Sequence, residues 1–218
     1  EICKSTGASI PKGLGVNLLH KEIDYSLNLN QMIDKIKNPI NHLVEEFFWF
    51  WPANKQNFQQ DHGLNLLASN DPQKVKIAWE AQSLNGDPNG IALHNVTILE
   101  HIELIEMYLD LLSGGNSISI DETKLKWKKS FQYWHRLLEN EAFWSFMSFR
   151  VRDFDDPRLT TGNVRRLRNL LPLCLALIKI RLAISLAEDN NSKSAKDIIE
   201  LLSKQDFNKE IFDEACQL

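Results

Sequence analysis

Apolar residues recur at helical spacing along most of the chain from about residue 28 onward. Met32, Ile33 and Ile36 share one face of a helix expected over 28–37. Asn38 is placed to cap a second helix with Pro39 at its first position, where the missing N–H of proline costs nothing. That helix is expected to run through the aromatic residues at 47–51 and to stop before Pro52. A third is expected over 56–69, with Gly63 a weak point inside it. Asp71 caps and Pro72 opens a fourth, to about Ser83, with Val75, Ala78, Trp79 and Gln82 at helical spacing. After Asn85-Gly86-Asp87-Pro88, the stretch 91–112 carries the clearest apolar stripe, from Leu93, Val96 and Leu99 through Ile102, Ile105 and Leu112. Helices follow to Leu138, over 142–153, over 161–188 with a kink or restart at Pro172, and over 194–203 and 207–216. Period-two alternation is nearly absent, Ile118-Ser119-Ile120 being the closest case. The expectation is an all-α fold of antiparallel helical hairpins, stacked without a strict repeat period.

One stretch strains this scheme. Residues 45–51 read EEFFWFW, and Pro52 follows at once. Five consecutive rings on a helix would span about 400° and point all round it. One expectation is a central helix clamped on all sides. The other is that one or two rings, Phe48 and Trp51, emerge and anchor a partner, since Trp is enriched at interface hot spots.

Composition narrows the class. A chain of 218 residues buries roughly 70% of its unfolded surface and needs no metal or disulfide to fold. Cys3, Cys174 and Cys216 are far apart, without disulfide or zinc spacing, as expected in a reducing cytosol. A net charge of −4 speaks against general nucleic-acid binding, and no apolar run is long enough to span a membrane. A chain opening on Glu1 instead of Met suggests that a longer protein begins upstream.

Three groups of polar residues raise chemical possibilities. His94 and His101 lie two turns apart on one helix, too far to share an ion without ligands from other helices, such as His62 or His135 with Glu100. A metal-dependent enzyme built on them is one alternative; the plainer expectation is that His94 and Asn95 satisfy neighbouring backbone beside the loop at 85–89. Arg150, Arg152, Arg158, Arg165, Arg166 and Arg168 cluster among Asp153, Asp155 and Asp156. An ion-pair network around the Asp155-Asp156-Pro157 turn is expected, with phosphate or nucleic-acid binding the alternative. Glu100, Glu103, Glu106 and Asp110 are spaced like a solvated helix face. No P-loop, dinucleotide-binding or nucleophile-elbow motif occurs.

The stretch Ile33-Asp34-Lys35-Ile36-Lys37-Asn38-Pro39 with His42 to Phe47 resembles the third-helix passage of J-domains, the Hsp70 co-chaperone fold. With NPINHLVEEFFWFWP, ALHNVTILEH, YWHRLLENEAFW, RVRDFDDPRLT and VRRLRNLLP, about three-quarters of the chain is similar to a bacterial family. That family pairs a degenerate J-like N-terminal part with a tetratricopeptide-like helical body. The resemblance implies a J-like segment over 1–52 and a helical-hairpin body over 53–218, either an irregular bundle or a short solenoid. The His-Pro-Asp that a working J-domain presents before its third helix does not occur, nor does a basic second helix before Asn28, so ancestry and shape are what it implies.

Together these point to a non-enzymatic, cytoplasmic protein-binding scaffold or chaperone-accessory module that needs no cofactor and contacts no membrane. Its partner is expected to be another protein, an Hsp70-type chaperone among them, or another domain of the same polypeptide. Trp51, Trp134, Arg150 and Arg152 are the candidate contacts, on a surface joining the Trp49/Trp51 end to Tyr133/Trp134 and Phe143/Trp144.

Overall fold

A computed structural model describes residues 39–53, 61–69, 71–112, 120–153 and 157–188. Most of the expected J-like segment, and the two short helices expected at the end of the chain, lie outside these residues. The described residues form helices joined by loops, without strands: α1 (Pro39–Phe47), α2 (His62–Ala68), α3 (Pro72–Asn85), α4 (Ile91–Leu112), α5 (Ile120–Leu138), α6 (Glu141–Asp153) and α7 (Thr161–Glu188). They divide into two compact units. One contains 45–143; the other contains Pro39–Val44 and 144–188.

In the first unit each helix from α2 to α5 packs on the next. Their ends are set by local chemistry. Asp61 Oδ1 accepts from the Leu64 N–H at 2.9 Å and Asp71 Oδ1 from the Lys74 N–H at 3.1 Å, with Pro72 the first residue of α3. Asp87 Oδ2 accepts from the Leu93 N–H at 2.9 Å and Asn140 Oδ1 from the Phe143 N–H at 3.0 Å. These side chains take up N–H groups that the first turn of a helix leaves without a partner.

Two glycines decide how closely the elements meet. Gly63 is buried where α2 meets α3, and a Cβ there would lie 2.0 Å from the Trp79 indole nitrogen. It is therefore a contact point and not the weak point expected from helix propensity. Gly90, at φ +66°, turns the chain into α4, where a Cβ would also meet Phe143 at 2.8 Å.

The first ten residues of α4, Ile91 to Glu100, are all buried. The helix enclosed on every side is thus α4, not the aromatic segment. Its polar members His94, Asn95, Thr97 and Glu100 must find partners inside. This corrects the expected solvated row of acids: Glu100 is 3% exposed, drawn in by two lysines described below. In the second unit α7 runs unbroken from Thr161 to Glu188 with Pro172 inside it, so no restart occurs there. Thr160 donates its N–H and hydroxyl to Asn163 Oδ1 at 2.8 and 2.9 Å at the start of α7.

Candidate functional site: an aromatic ledge on a polar clamp

α1 ends at Phe47, and residues 48–53 are not helical. The helix expected through Trp51 is therefore absent; Trp51 itself, next to Pro52, is pushed out of the α region. An irregular buried segment must then have its backbone groups satisfied from elsewhere. α4 does this with two adjacent side chains. His94 Nε2 donates to the Phe47 carbonyl at 2.6 Å, and its Nδ1 lies 3.2 Å from Asn95 Oδ1. Asn95 accepts from the Trp51 N–H at 2.9 Å and donates to the Trp51 carbonyl at 2.7 Å. The expectation that this pair satisfies backbone holds, but the backbone is that of the aromatic segment, more than 40 residues away in sequence, not of the adjacent loop.

The clamp sorts the rings. Phe47, Phe50 and Trp51 turn inward. Trp51 stacks on His94 (centroids 4.6 Å apart) and on Phe143 (5.7 Å), and its indole N–H donates to the Glu46 carbonyl at 2.9 Å. Phe47 reaches Phe143 and Trp134, each at 6.1 Å, and Phe50 stacks on Trp79 at 5.3 Å. Phe48 and Trp49, between the clamped residues, are 39% and 49% exposed. Phe48 keeps an edge contact with Phe47 at 5.2 Å and a tilted one with Trp134 at 6.3 Å. The Trp49 N–H donates to the Glu46 carbonyl at 3.3 Å, and the Ala53 N–H to Asp61 at 2.8 Å.

Of the four residues expected to touch a partner, the structure brings Trp51 and Trp134 into one cluster through Phe47 and Phe143, both of them buried. Tyr133, Phe143 and Trp144 are buried as well. Within the aromatic segment the rings offered to solvent are those of Phe48 and Trp49; in the second unit the Phe149 ring is exposed as well. Arg150 and Arg152 lie on α6 in the second unit, half-buried and exposed. There Arg168 stands over the Trp144 ring at 5.5 Å, and Arg165 and Arg166 are exposed. Of the three acids of the expected ion-pair network, Asp155 and Asp156 lie outside the described residues.

No family model, curated protein or solved structure matches this chain.

A second polar centre joins α3, α4 and α5. Lys76 lies 3.2 Å from Glu100 and 2.6 Å from Glu103, and Lys129 lies 2.9 Å from Glu100 and 2.9 Å from Glu80. Tyr133 donates its hydroxyl to Glu80. Burial opposes the charge on Glu80, but the Tyr133 and Lys129 hydrogen bonds outweigh it and hold the carboxyl below its usual range. Burial likewise opposes the charge on Lys129, and the Glu100 and Glu80 carboxylates more than reverse that. The Tyr133 phenol is pushed up to about 12, by burial first and then by its bond to Glu80. None of this was legible as a site: Glu100 read as solvated, and its lysine partners lie 24 and 29 positions away.

The histidines have separate surroundings. Besides the clamp residue, His101 is buried against Trp134 and Trp127, and burial lowers its pKa to about 4. The Trp134 indole N–H points at its Nδ1 at 3.4 Å. His62 and His135 are exposed, and His135 lies 3.4 Å from Glu139. Among the described residues no three His, Cys, Asp or Glu side chains are grouped to hold a metal ion. Among the same residues no helix is long and apolar enough to cross a membrane.

Proposed function

We propose that the chain is a non-enzymatic protein-binding scaffold whose contact point is the Phe48–Trp49 ledge. The observation that carries this reading is two neighbouring rings in solvent on a backbone held at both ends, at Phe47 by His94 and at Trp51 by Asn95. Large aromatic side chains supply most of the energy at protein interfaces. A ledge fixed in advance loses little further freedom when a partner docks, so more of the ring burial is expressed as affinity.

The helices are proposed to stack as antiparallel hairpins, as in tetratricopeptide-like bodies. Support comes from the short connection at 86–90 and from the packing of α2 to α5 in sequence order. The partner is another protein or another domain of the same polypeptide. The J-like passage at 33–47 makes an Hsp70-type chaperone the first to try.

Immobilised chain and the double variant Phe48→Ser/Trp49→Ser are to be compared, first against a purified Hsp70-type chaperone and then against host lysate. Proteins retained by the native chain and lost with the variant, at equal melting temperatures, are the expected result. Identical retention by both would overturn the reading.

A further inference from the structure

The chain carries a net charge of −4, yet the solvent face of α5 is basic: Lys126, Lys128, Lys129, His135 and Arg136 are all exposed. Acids stand near both ends of that helix, Glu122 lying 3.5 Å from Lys126, and Glu139, just past its last residue, 3.4 Å from His135. Between them is a cavity of about 360 Å³ lined by Lys129, Gln132, Tyr133, His135 and Arg136. None of the five is acidic.

The walls of this cavity are positioned. The Tyr133 ring is fixed by its hydroxyl, which donates to Glu80 on α3. Two cations stand over that ring, Lys129 Nζ at 5.5 Å from its centre and the Arg136 guanidinium at 5.8 Å. Lys129 is tied to Glu80 and Glu100, so it is held at the wall and its charge is partly offset. Arg136 pairs with no carboxylate among the described residues, and its contact there is the face of Tyr133. Lys129 already meets its carboxylates, so the Arg136 guanidinium is the charge open to an anion that enters the cavity.

We propose that this cavity binds a small phosphomonoester, an anion site separate from the Phe48–Trp49 ledge. The donor count selects the anion. A carboxylate offers two acceptor oxygens, whereas a phosphomonoester offers three, with about −1.5 to −2 charge at neutral pH. The Arg136 fork suits two of those oxygens, and Lys129 and the Gln132 amide supply further donors. The volume lies at the lower end of the range of small-molecule sites, about 300–1,000 Å³. It takes a phosphoryl group with a small organic part against the Tyr133 ring.

The test is a titration of the full ¹⁵N-labelled chain with glycerol phosphate, inorganic phosphate or acetate at constant ionic strength, followed by amide shifts. Glycerol phosphate is expected to give saturable shifts centred on 129–136 and to bind more tightly than acetate. Arg136→Gln removes a charge-assisted contact and is expected to weaken it about ten-fold. Arg136→Lys keeps the charge, loses the fork, and falls between. Lys74→Gln, an exposed lysine on α3, leaves binding unchanged. Shifts that stay linear to tens of millimolar, equal affinity for acetate, or indifference to Arg136→Gln would each overturn the proposal. So would tighter binding of a phosphoserine peptide than of glycerol phosphate, because the ligand would then be a protein.

Discussion

Trp49 and Trp51 stand two residues apart and meet opposite environments. Trp51 is 1% exposed and stacked between His94 and Phe143; Trp49 is 49% exposed. Neither composition nor hydrophobicity separates them. The difference lies in the backbone, where α4 supplies His94 to the carbonyl of residue 47 and Asn95 to both polar groups of residue 51. Once those two points are fixed, the rings at 47, 50 and 51 occupy the interior and the rings at 48 and 49 do not. Two polar side chains in the most enclosed helix of the first unit thus decide which aromatic surface the protein shows.

The sharpest way to break this comparison is to empty the inner position. Trp51→Ala should cost about 3–5 kcal/mol, as removal of a fully buried indole does, read from the urea midpoint. A loss below about 1 kcal/mol would mean that Trp51 is not enclosed.

The clamp comes next. Asn95→Leu keeps the volume but strips partners from the Trp51 N–H and carbonyl, and the two orphaned groups together should cost about 2–4 kcal/mol. It should also move Trp49 and Trp51 toward equal exposure, whereas Thr97→Val, which removes a hydroxyl bonded to the Leu93 carbonyl of its own helix at 2.6 Å, should not.

A further effect follows from the buried His101 of α4 and is read by pH. Burial holds His101 at about 4, below the ordinary histidine value of about 6.5. The unfolded chain therefore binds a proton that the folded chain refuses between those values. The stability contributed by neutral His101 is complete above pH 6.5 and lost as pH falls toward 4, on the order of 3 kcal/mol in all. Glu80, held below its usual range, adds its own loss only at lower pH. Denaturation midpoints measured from pH 7 to 4 should fall steeply, and His101→Gln should flatten the upper part of that slope. An unchanged slope in His101→Gln would assign the acid sensitivity to other groups.

The outer rings give the smallest stability effect. Phe48→Ser and Trp49→Ser should each change the melting free energy by no more than about 0.5 kcal/mol, as exposed positions do. Their influence should be confined to partner retention.

Much of this fold could be read from the chain. The helix-opening chemistry of Asp71-Pro72, the break at Asn140 and the long apolar pattern of 91–112 are local signals, and the elements follow them. The ledge was harder to see because its cause is remote. Pro52 already excludes Trp51 from a helix, but nothing near it in sequence names His94 and Asn95 as the groups that hold it. An asparagine amid Ile91, Leu93, Val96 and Ile98 was the available clue, since such a residue is buried only where something needs both ends of its amide. Glu100 misled for the converse reason. Acids spaced by three and four look solvated unless Lys76 and Lys129 are known to come from two other helices. Gly63 looked like a defect because its role lies in the shape of Trp79, on a different helix.

Hydroxyl-radical footprinting resolved to single residues compares the rings within one molecule and tests the clamp most directly. Trp49 and Phe48 should be modified many times faster than Trp51 and Phe47 in the native chain, and Asn95→Leu should bring the two tryptophans close together. Equal rates for Trp49 and Trp51 in the native chain, or a native-like contrast that survives Asn95→Leu, would contradict it.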